Sequence, residues 1–320
     1  MTGESEFGLI ERLFKDAGGS QHAFTRLAIG DDASIHQPHA GMELVVSTDS
    51  SVQGIHWPGN FPLDKAADRA VCAALSDIAA MGAEAVCAWL NVMAEDSHAV
   101  EALGTGSTRA LKRYDVELAG GDTCRSASNA LSVTVAGQLP QDSAMRRDAA
   151  LNSDDIWLVG RVGFHALGLQ QWMSDQKARE RNQGNQKQGV FVTCFESIVP
   201  QLHAGIQLRE LGVSCCIDVS DGLLQDVGHI AAASETEMDI EVTAVPDWEI
   251  LHQHAGEEAA LQSVAHGGED YALLFTAPAN MSLPDGLAVR IGHCRQGEGV
   301  NLLLNGEKTD VQKTGFDHFA

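Results

Sequence analysis

The chain has 320 residues, 44% of them hydrophobic, a composition that supports ordinary globular cores and argues against disorder. Its 21 Lys and Arg residues stand against 44 Asp and Glu residues, which gives a formal net charge of −23. This charge argues against a nucleic-acid backbone or an anionic membrane as partner, because both would be repelled, whereas a phosphate ligand is compatible if divalent cations stand between the negative charges.

The first half of the chain alternates apolar extended segments with helical ones. A strand is predicted at residues 42–47, and a run of hydroxyls with one carboxylate, residues 48–51, follows it directly. Such side chains at the end of an apolar run have no obvious packing role, so we interpret them as part of a binding site. The pattern then predicts helices at residues 64–83 and 98–114 and strands at 85–93 and 131–139.

A second alternation of strands and helices begins at residue 154. It continues through apolar segments at residues 215–220, 221–234, 238–245 and 271–277. Residues 174–189 are polar and rich in Gln, so we expect a solvated loop or frayed helix there, without a chemical role. Two α/β modules of similar size, residues 1–143 and 144–320, are the natural interpretation of this pattern.

The cysteines and the N-terminal residues indicate the compartment. The seven Cys residues follow no CxxC spacing, which favours neither a disulfide framework nor a zinc site. We interpret the adjacent Cys215 and Cys216 as buried thiols on opposite sides of a strand. Residues 1–14 lack the pattern of a signal peptide, and no apolar run approaches the ~20 residues of a membrane span. These features predict a cytoplasmic protein.

Several aspartates follow or accompany an apolar run or a glycine pair, where a fold presents side chains at the rim of a sheet. Each of them taken alone is more simply a turn or helix-cap residue, and Asp221 in particular could cap a helix that begins at Gly222. The aspartates in such positions are Asp32, Asp49, Asp122, Asp218 and Asp221.

Asp77 is different, because it lies in a helix that is apolar on every side. Residues 69–83 contain Ala, Val, Leu, Ile and Met around the whole helix circumference, which predicts burial. An ionised carboxylate in such a place costs several kcal/mol unless it is paired. The nearby sequence supplies only Arg69, which points roughly elsewhere. A metal ion is therefore the simplest partner for Asp77.

The chemistry of these side chains indicates which metal they would bind. Two carboxylates about 4 Å apart repel each other by about 4 kcal/mol at an effective dielectric of 20, and Mg²⁺ with oxygen ligands relieves this repulsion. The hydroxyls of Ser47 and Thr48 could complete the ligand shell. Of the 13 His residues, only His252 and His254 fall in an HxH spacing and none falls in HExxH, so a zinc site is not favoured. Because neither a P-loop nor a GxGxxG motif is present, ATP would have to bind through metals.

Seven ordered motifs resemble those of the thiamine-monophosphate kinases, members of the aminoimidazole-ribonucleotide-synthetase-like superfamily. The likeness covers nearly the whole chain, from residue 6 to the C-terminus. Seven motifs in the same order are specific evidence for a family, whereas one short motif alone would be weak evidence. The motifs are GDDAS (30–34), STDSSVQGIHW (47–57), LSDIAAMGA (75–83), GGDT (120–123), IDVSDGL (217–223), GGEDYALLF (267–275) and GFDHF (315–319).

The resemblance implies a fold, an activity and partners. The fold is a two-domain α+β protomer with layered α/β domains, in which residues 1–143 bind ATP and magnesium and dimerise through strands that form a barrel, and residues 144–320 form a C-terminal α/β domain. The activity is direct in-line transfer of the ATP γ-phosphate to thiamine monophosphate, with several Mg²⁺ ions and no phosphoenzyme. The expected partners are ATP, thiamine monophosphate and a second copy of the chain, without nucleic acid or membrane.

The resemblance also implies roles for individual residues. The positions that match magnesium ligands are Asp32, Ser47, Thr48, Asp49, Asp77, Asp122, Asp218 and Asp221. The positions that match ATP contacts are Gly121, Asp122, Arg147 and Ser220, with Tyr114 as a weaker candidate, and those that match substrate contacts are His56, Glu269 and Phe316. Asp49, Asp77 and Asp122 would be central, and no general base is assigned because the attacking phosphate oxygen is already ionised.

Two kinds of alternative remain open. Another enzyme of the superfamily could use a different acceptor, but a selenophosphate synthetase would need a reactive Cys near the N-terminus, and the first Cys is Cys72 in the predicted buried helix. A hydrogenase-maturation relative would need a C-terminal Cys, whereas this chain ends in GFDHFA. A non-catalytic metal- or nucleotide-binding protein is the other alternative, and the intact ligand positions argue against it.

Overall fold

The computed structural model describes residues 6–15, 17, 21–180 and 189–311, which fold into two compact units. The first unit comprises Met1–Ile78 and Ala83–Asp142, and the second comprises Ala79–Gly82 and Ser143–Ala320. Mixed sheets and helices confirm the predicted fold class. The division of functions between residues 1–143 and 144–320 stays a prediction.

A four-stranded sheet and two long helices form the centre of the first unit. The order of the sheet is β3-β6-β4-β5, with β4 and β5 parallel and the other pairs antiparallel. The elements of this unit are α1 (Glu6–Phe14), β1 (Thr25–Leu27), β2 (Ile35–His36), β3 (Met42–Val52), α2 (Leu63–Ala80), β4 (Glu84–Ala94), α3 (Ser97–Arg113), β5 (Glu117–Arg125) and β6 (Ala130–Pro140).

Helix α2 is buried around most of its circumference, as the apolar sequence predicts. It approaches α3 closely at Gly106, where an added Cβ would lie 2.0 Å from the Asp64 carbonyl oxygen. The buried Asp68 carboxylate joins the two helices, since it accepts hydrogen bonds from Arg113 at 2.6 Å and Arg109 at 3.1 Å. The two guanidinium groups neutralise the buried carboxylate, which would be costly in the low-dielectric interior without a partner.

The strand predicted at residues 42–47 is longer than the apolar run. Strand β3 continues to Val52 and pairs with β6 along its whole length, from Met42–Pro140 to Val52–Ala130. The prediction that the strand ends at residue 47 is therefore wrong, because Asp49 lies within β3. Asp122 lies within β5. The polar residues stay in the strand because their backbone hydrogen bonds to β6 do not depend on side-chain hydrophobicity.

The second unit contains a seven-stranded sheet of order β13-β12-β9-β11-β7-β10-β8, antiparallel except for the β9–β12 pair. Its strands are β7 (Asp154–Val159), β8 (Cys215–Val219), β9 (Glu237–Glu241), β10 (Ala272–Pro278), β11 (Val289–Arg295), β12 (Gly299–Leu304) and β13 (Glu307–Lys308). Its helices are α4 (Phe164–Glu180), α5 (Val190–Glu196), α6 (Leu202–Glu210), α7 (Leu223–Ser234), α8 (Trp248–Ala255) and α9 (Glu257–His266).

Apolar layers cover both faces of this sheet. Cys215 belongs to the core cluster on one face and Cys216 to the cluster on the other, and both thiols are free and buried, as the sequence predicts. Of the segment predicted at 238–245, only residues up to Glu241 are strand, and a 3₁₀ helix follows at Val242–Ala244. The helix predicted at 64–83 ends at Ala80, and α4 extends through the first part of the 174–189 stretch.

No helix within the described part of the chain is long and apolar enough to cross a membrane.

Candidate active site

The site residues of the first unit fall into two groups, and the first lies between β3 and α2. The Ser47 hydroxyl donates a hydrogen bond to Oδ2 of Asp77 at 2.5 Å. Asp77 is partly exposed although its neighbours on α2 are buried. Asp49 lies two residues beyond Ser47 and therefore on the same face of the strand. This group offers two carboxylates and a hydroxyl, the oxygen ligands that Mg²⁺ prefers.

The side chain of Thr48 points away from this group. Neighbouring residues of a strand alternate between faces, and the Thr48 hydroxyl instead forms a short hydrogen bond with the Thr134 hydroxyl of β6. Thr48 could therefore reach an ion beside Asp49 only through its backbone carbonyl. Within one chain the Ser47 and Thr48 hydroxyls therefore lie on opposite faces of β3, and their role as ligands stays a prediction.

The second group lines a cavity of about 470 Å³ beside β5. One part of the lining is apolar and includes Phe14, Ile29 and Trp89. Gly121 in this lining has a φ of +151°, and an added Cβ would lie 1.9 Å from the Leu90 carbonyl oxygen, so only glycine fits there. The polar lining residues include Asp31, Asp32, Ser34, Asn91 and Asp122.

The sheet order keeps these two groups apart within one chain. Strands β3 and β5 form opposite edges of the sheet, with β6 and β4 between them, a separation of about 14 Å at ~4.8 Å per strand. The faces differ as well. Asp122 lies opposite Asn91 of β4, Asn91 lies opposite Ser132 of β6, and Ser132 lies opposite Ser50 of β3. Residues opposite one another in a sheet share a face, so Asp122 is on the face of Ser50 and not on that of Asp49. One chain thus cannot place Asp49 and Asp122 on the same ion.

Two further sequence-predicted residues of the first unit differ in their surroundings. Nδ1 of His56 accepts a hydrogen bond from the Val52 backbone N–H at 3.0 Å, which leaves the proton of the neutral ring on Nε2. Tyr114 caps the C-terminus of α3, with the Arg113 guanidinium 5.0 Å from its ring centroid. Burial raises the pKa of Tyr114 to about 12. Tyr114 does not line the cavity at Gly121, which weakens its candidacy as an ATP contact.

The second unit presents site residues at the ends of β8 and β10. The donor atoms of Asp221, Asp226 and His229 lie within 4.8 Å of one another. Asp221 does not cap α7, whose N-cap is Gly222, and its carboxylate accepts a hydrogen bond from Gln225 instead. Sequence reasoning missed Asp226 and His229, although their spacing of three residues puts them on one helix face beside Asp221.

Asp226 is buried and organises the preceding turn. Its Oδ2 accepts hydrogen bonds from the backbone N–H groups of Ser220 at 3.0 Å and Asp221 at 3.1 Å. Burial raises the pKa of Asp226 to about 7, against the lowering effect of these two donors. The predicted ligand Asp218 is buried in β8, whereas Ser220 and Asp221 reach the surface of the turn.

This raised pKa predicts a dependence of stability on pH in metal-free buffer. An unfolded Asp titrates near pH 4, so between about pH 4 and 7 the folded chain holds a proton that the unfolded chain releases. The free energy of unfolding should therefore fall as pH rises through this window, by up to about 1.4 kcal/mol per pH unit. Urea unfolding with chelator from pH 5 to 8 measures it. Asp226→Asn should lack this component, and an identical pH profile in both proteins would contradict the assignment.

Of the remaining predicted residues in the second unit, Glu269 is hydrogen-bonded to the turn at Ser220, whereas Arg147 is hydrogen-bonded to Ser234. The Arg147 side chain is exposed, and its backbone carbonyl accepts a hydrogen bond from the Ser234 hydroxyl at 2.9 Å. Glu269 lies in the loop before β10 with a φ of +66°, and its N–H donates to the Ser220 carbonyl at 2.7 Å. Phe316, predicted to contact the substrate, lies outside the described residues.

Comparison with known proteins places the chain in a class. Residues 30–139, which carry Asp32, Asp49, Asp77 and Asp122, match the family AIR synthase related protein, N-terminal domain. The fold agrees with that of solved relatives: the structure of AaThiL complexed with AMPPCP and TMP superimposes with a TM-score of 0.76 at 24% identity, covering 98% of this chain and 97% of that one. Residues 30–139 thus match the N-terminal domain of the AIR synthase-related class, and the chain has the fold of these solved relatives.

The family within this class follows from relatives at higher identity. The chain is 32% identical to the thiamine-monophosphate kinase of Escherichia coli (strain K12) over 331 residues, which cover 98% of each protein. The crystal structure of thiamine-monophosphate kinase from Stenotrophomonas maltophilia K279a has a TM-score of 0.78 at 32% identity and covers 95% of this chain and 98% of that one. The chain belongs to the thiamine-monophosphate kinase family, which confirms the resemblance found in the motifs.

Proposed function

We propose that this protein transfers the γ-phosphoryl group of ATP to the phosphate of thiamine monophosphate, which yields thiamine diphosphate and ADP. The observation that carries the proposal is the full-length membership in the thiamine-monophosphate kinase family, together with oxygen-ligand groups at the motif positions. The direct in-line route and the cytoplasmic location expected from the sequence are part of the same proposal.

Both substrates are anions, so the site must neutralise charge as well as position the phosphates. Asp49, Asp77 and Asp122 would hold Mg²⁺, which supplies charge neutralisation between donor and acceptor phosphates. The carboxylate and hydroxyl oxygens around Asp77 fit such an ion, and the short Ser47–Asp77 hydrogen bond keeps the Asp77 carboxylate oriented. The remaining predicted magnesium ligands are Asp32, Ser47, Thr48, Asp218 and Asp221.

Side chains outside the metal groups would hold the two substrates. Arg147, whose side chain is exposed, would contact a nucleotide phosphate, and the predicted ATP contacts Gly121 and Ser220 would act through backbone groups. The proton on Nε2 of His56 makes that atom a donor toward a substrate phosphate, because Nδ1 is occupied by Val52. Glu269 and Phe316 would contact the thiamine part. The attacking phosphate oxygen is already ionised, so we assign no general base.

The proposal includes a homodimer in which each active site takes residues from both copies. Within one chain β3 and β5 are opposite edges of the sheet, so Asp49 and Asp122 can meet only if the β3 edge of one copy approaches the β5 edge of another. Leu44 and Val46 on β3 are 52% and 55% exposed, and apolar residues on a sheet edge favour such an association.

The test of the function is an assay for thiamine diphosphate and ADP with ATP, Mg²⁺ and thiamine monophosphate. We expect both products in equal amounts, and none when unphosphorylated thiamine replaces thiamine monophosphate. ATP hydrolysis that is independent of thiamine monophosphate, or no turnover at all, would favour another enzyme of the class or a binding protein.

Metal dependence predicts a specific pattern of thermal stabilisation. A ligand that binds only the folded state raises the melting temperature, and ATP without a metal should be repelled by the acidic groups. We therefore expect a large increase in Tm with Mg²⁺ and ATP and little increase with ATP in excess chelator. An equal increase under both conditions would contradict metal-mediated nucleotide binding.

A further inference from the structure

The loop at residues 267–271, which carries Glu269, has a strained backbone. Glu269 and Tyr271 have φ values of +66° and +52°, a region that side chains other than glycine rarely adopt. The N–H groups of these two residues donate to the carbonyls of Ser220 at 2.7 Å and Val219 at 2.8 Å. The loop is thereby fastened to the turn that carries Ser220 and Asp221, and something must keep it in this conformation.

Asp270 lies between the two strained residues, and its side chain attaches the loop to helix α4. Its side chain is fully buried and accepts hydrogen bonds from the backbone N–H groups of Gly163 at 2.6 Å and His165 at 3.1 Å. It also bonds to Nδ1 of His165 at 3.1 Å. These donors lie at the N-terminus of α4, where N–H groups lack partners within the helix and the helix dipole favours a negative charge.

We propose that Asp270 is a positioning residue for the reaction, which holds Glu269 in its left-handed conformation so that the Glu269 side chain is presented toward the thiamine part of the substrate. Both carboxylate oxygens of Asp270 accept hydrogen bonds at the N-terminus of α4. Because the side chain is held in this way, the backbone of the adjacent Glu269 cannot relax toward a more common conformation. This inference rests on the proposed function for the role of Glu269.

Asp154 offers a matched control for an Asp270 variant. It is also buried in the second unit, and its Oδ2 accepts hydrogen bonds from the Thr276 hydroxyl and the Leu151 N–H, both at 3.0 Å. Asp154 pairs with Pro278 at the far end of β10 from Asp270. Asn at either position removes a buried carboxylate charge at nearly constant side-chain size, but only position 270 adjoins Glu269.

The test compares Asp270→Asn with Asp154→Asn by steady-state kinetics and melting temperature. We expect Asp270→Asn to raise KM for thiamine monophosphate by about tenfold, as one or two weakened charge-assisted hydrogen bonds imply, with KM for ATP nearly unchanged. Asp154→Asn should change neither KM, whatever its effect on Tm. Equal effects of both variants on KM, or no effect of Asp270→Asn, would overturn the inference.

One additional measurement, amide hydrogen exchange, separates this inference from the proposed function. Amide hydrogen exchange at Glu269 and Tyr271 should accelerate in Asp270→Asn and stay slow in Asp154→Asn, whether or not the wild-type protein turns over thiamine monophosphate. Wild-type inactivity with normal exchange differences would remove the proposed function alone, while unchanged exchange in Asp270→Asn would remove the positioning role. If Asp270→Asn does not fold, His165→Ala, which removes one of the three bonds, should show smaller changes in the same direction.

Discussion

Replacing Asp77 by Asn should abolish turnover and leave a folded protein. The amide has nearly the same shape as the carboxylate, and its oxygen can still accept the Ser47 hydrogen bond seen at 2.5 Å. The substitution removes the negative charge, which does not contribute to the packing of helix α2. The affinity of the site for a dication is lost with that charge. We expect kcat to fall at least about a thousandfold, which corresponds to roughly 4 kcal/mol of transition-state stabilisation.

The control for this variant is Asp68→Asn on the same helix. Asp68 is also a carboxylate of α2, but it is buried and pairs with Arg109 and Arg113. Its replacement should lower Tm because two arginines lose a buried partner, and it should leave kcat largely intact. Near-normal turnover of a folded Asp77→Asn protein at low Mg²⁺ would exclude Asp77 as a metal ligand.

Mixing two inactive variants should restore activity if each site combines residues from both copies. Asp49→Asn and Asp122→Asn should each be inactive as pure dimers. In a mixed dimer one site then carries both substitutions and the other carries neither. With random pairing, half of the dimers are mixed and each has one intact site, so about a quarter of wild-type activity should return.

A second pair of variants makes this experiment specific. Asp49 and Asp77 lie together beside β3, so a mixed dimer of Asp49→Asn and Asp77→Asn carries one substitution in each site and should stay inactive. Differently tagged copies, purified through both tags after co-expression, supply the mixed dimers. Inactivity of the purified Asp49→Asn and Asp122→Asn mixture would show that both carboxylates act within one chain.

The sequence alone predicted the features that depend on each residue's own burial and chemistry. The apolar circumference of α2 predicted its burial, and the neighbours Cys215 and Cys216 were correctly assigned to opposite faces of a strand. These inferences hold because hydrophobic periodicity records which side of a local element is buried, whatever lies on that side.

Only the tertiary structure decided which of these residues meet. The length of β3 depends on its ladder with β6, about 90 residues away in sequence, so the polar run at 48–51 could not be recognised as strand. The order of strands separates Asp49 from Asp122, and the loop before β10 brings Asp270 to the N-terminus of α4, 105 residues earlier. Strand order, register and helix capping are contacts between distant segments, and local periodicity carries no information about such partners.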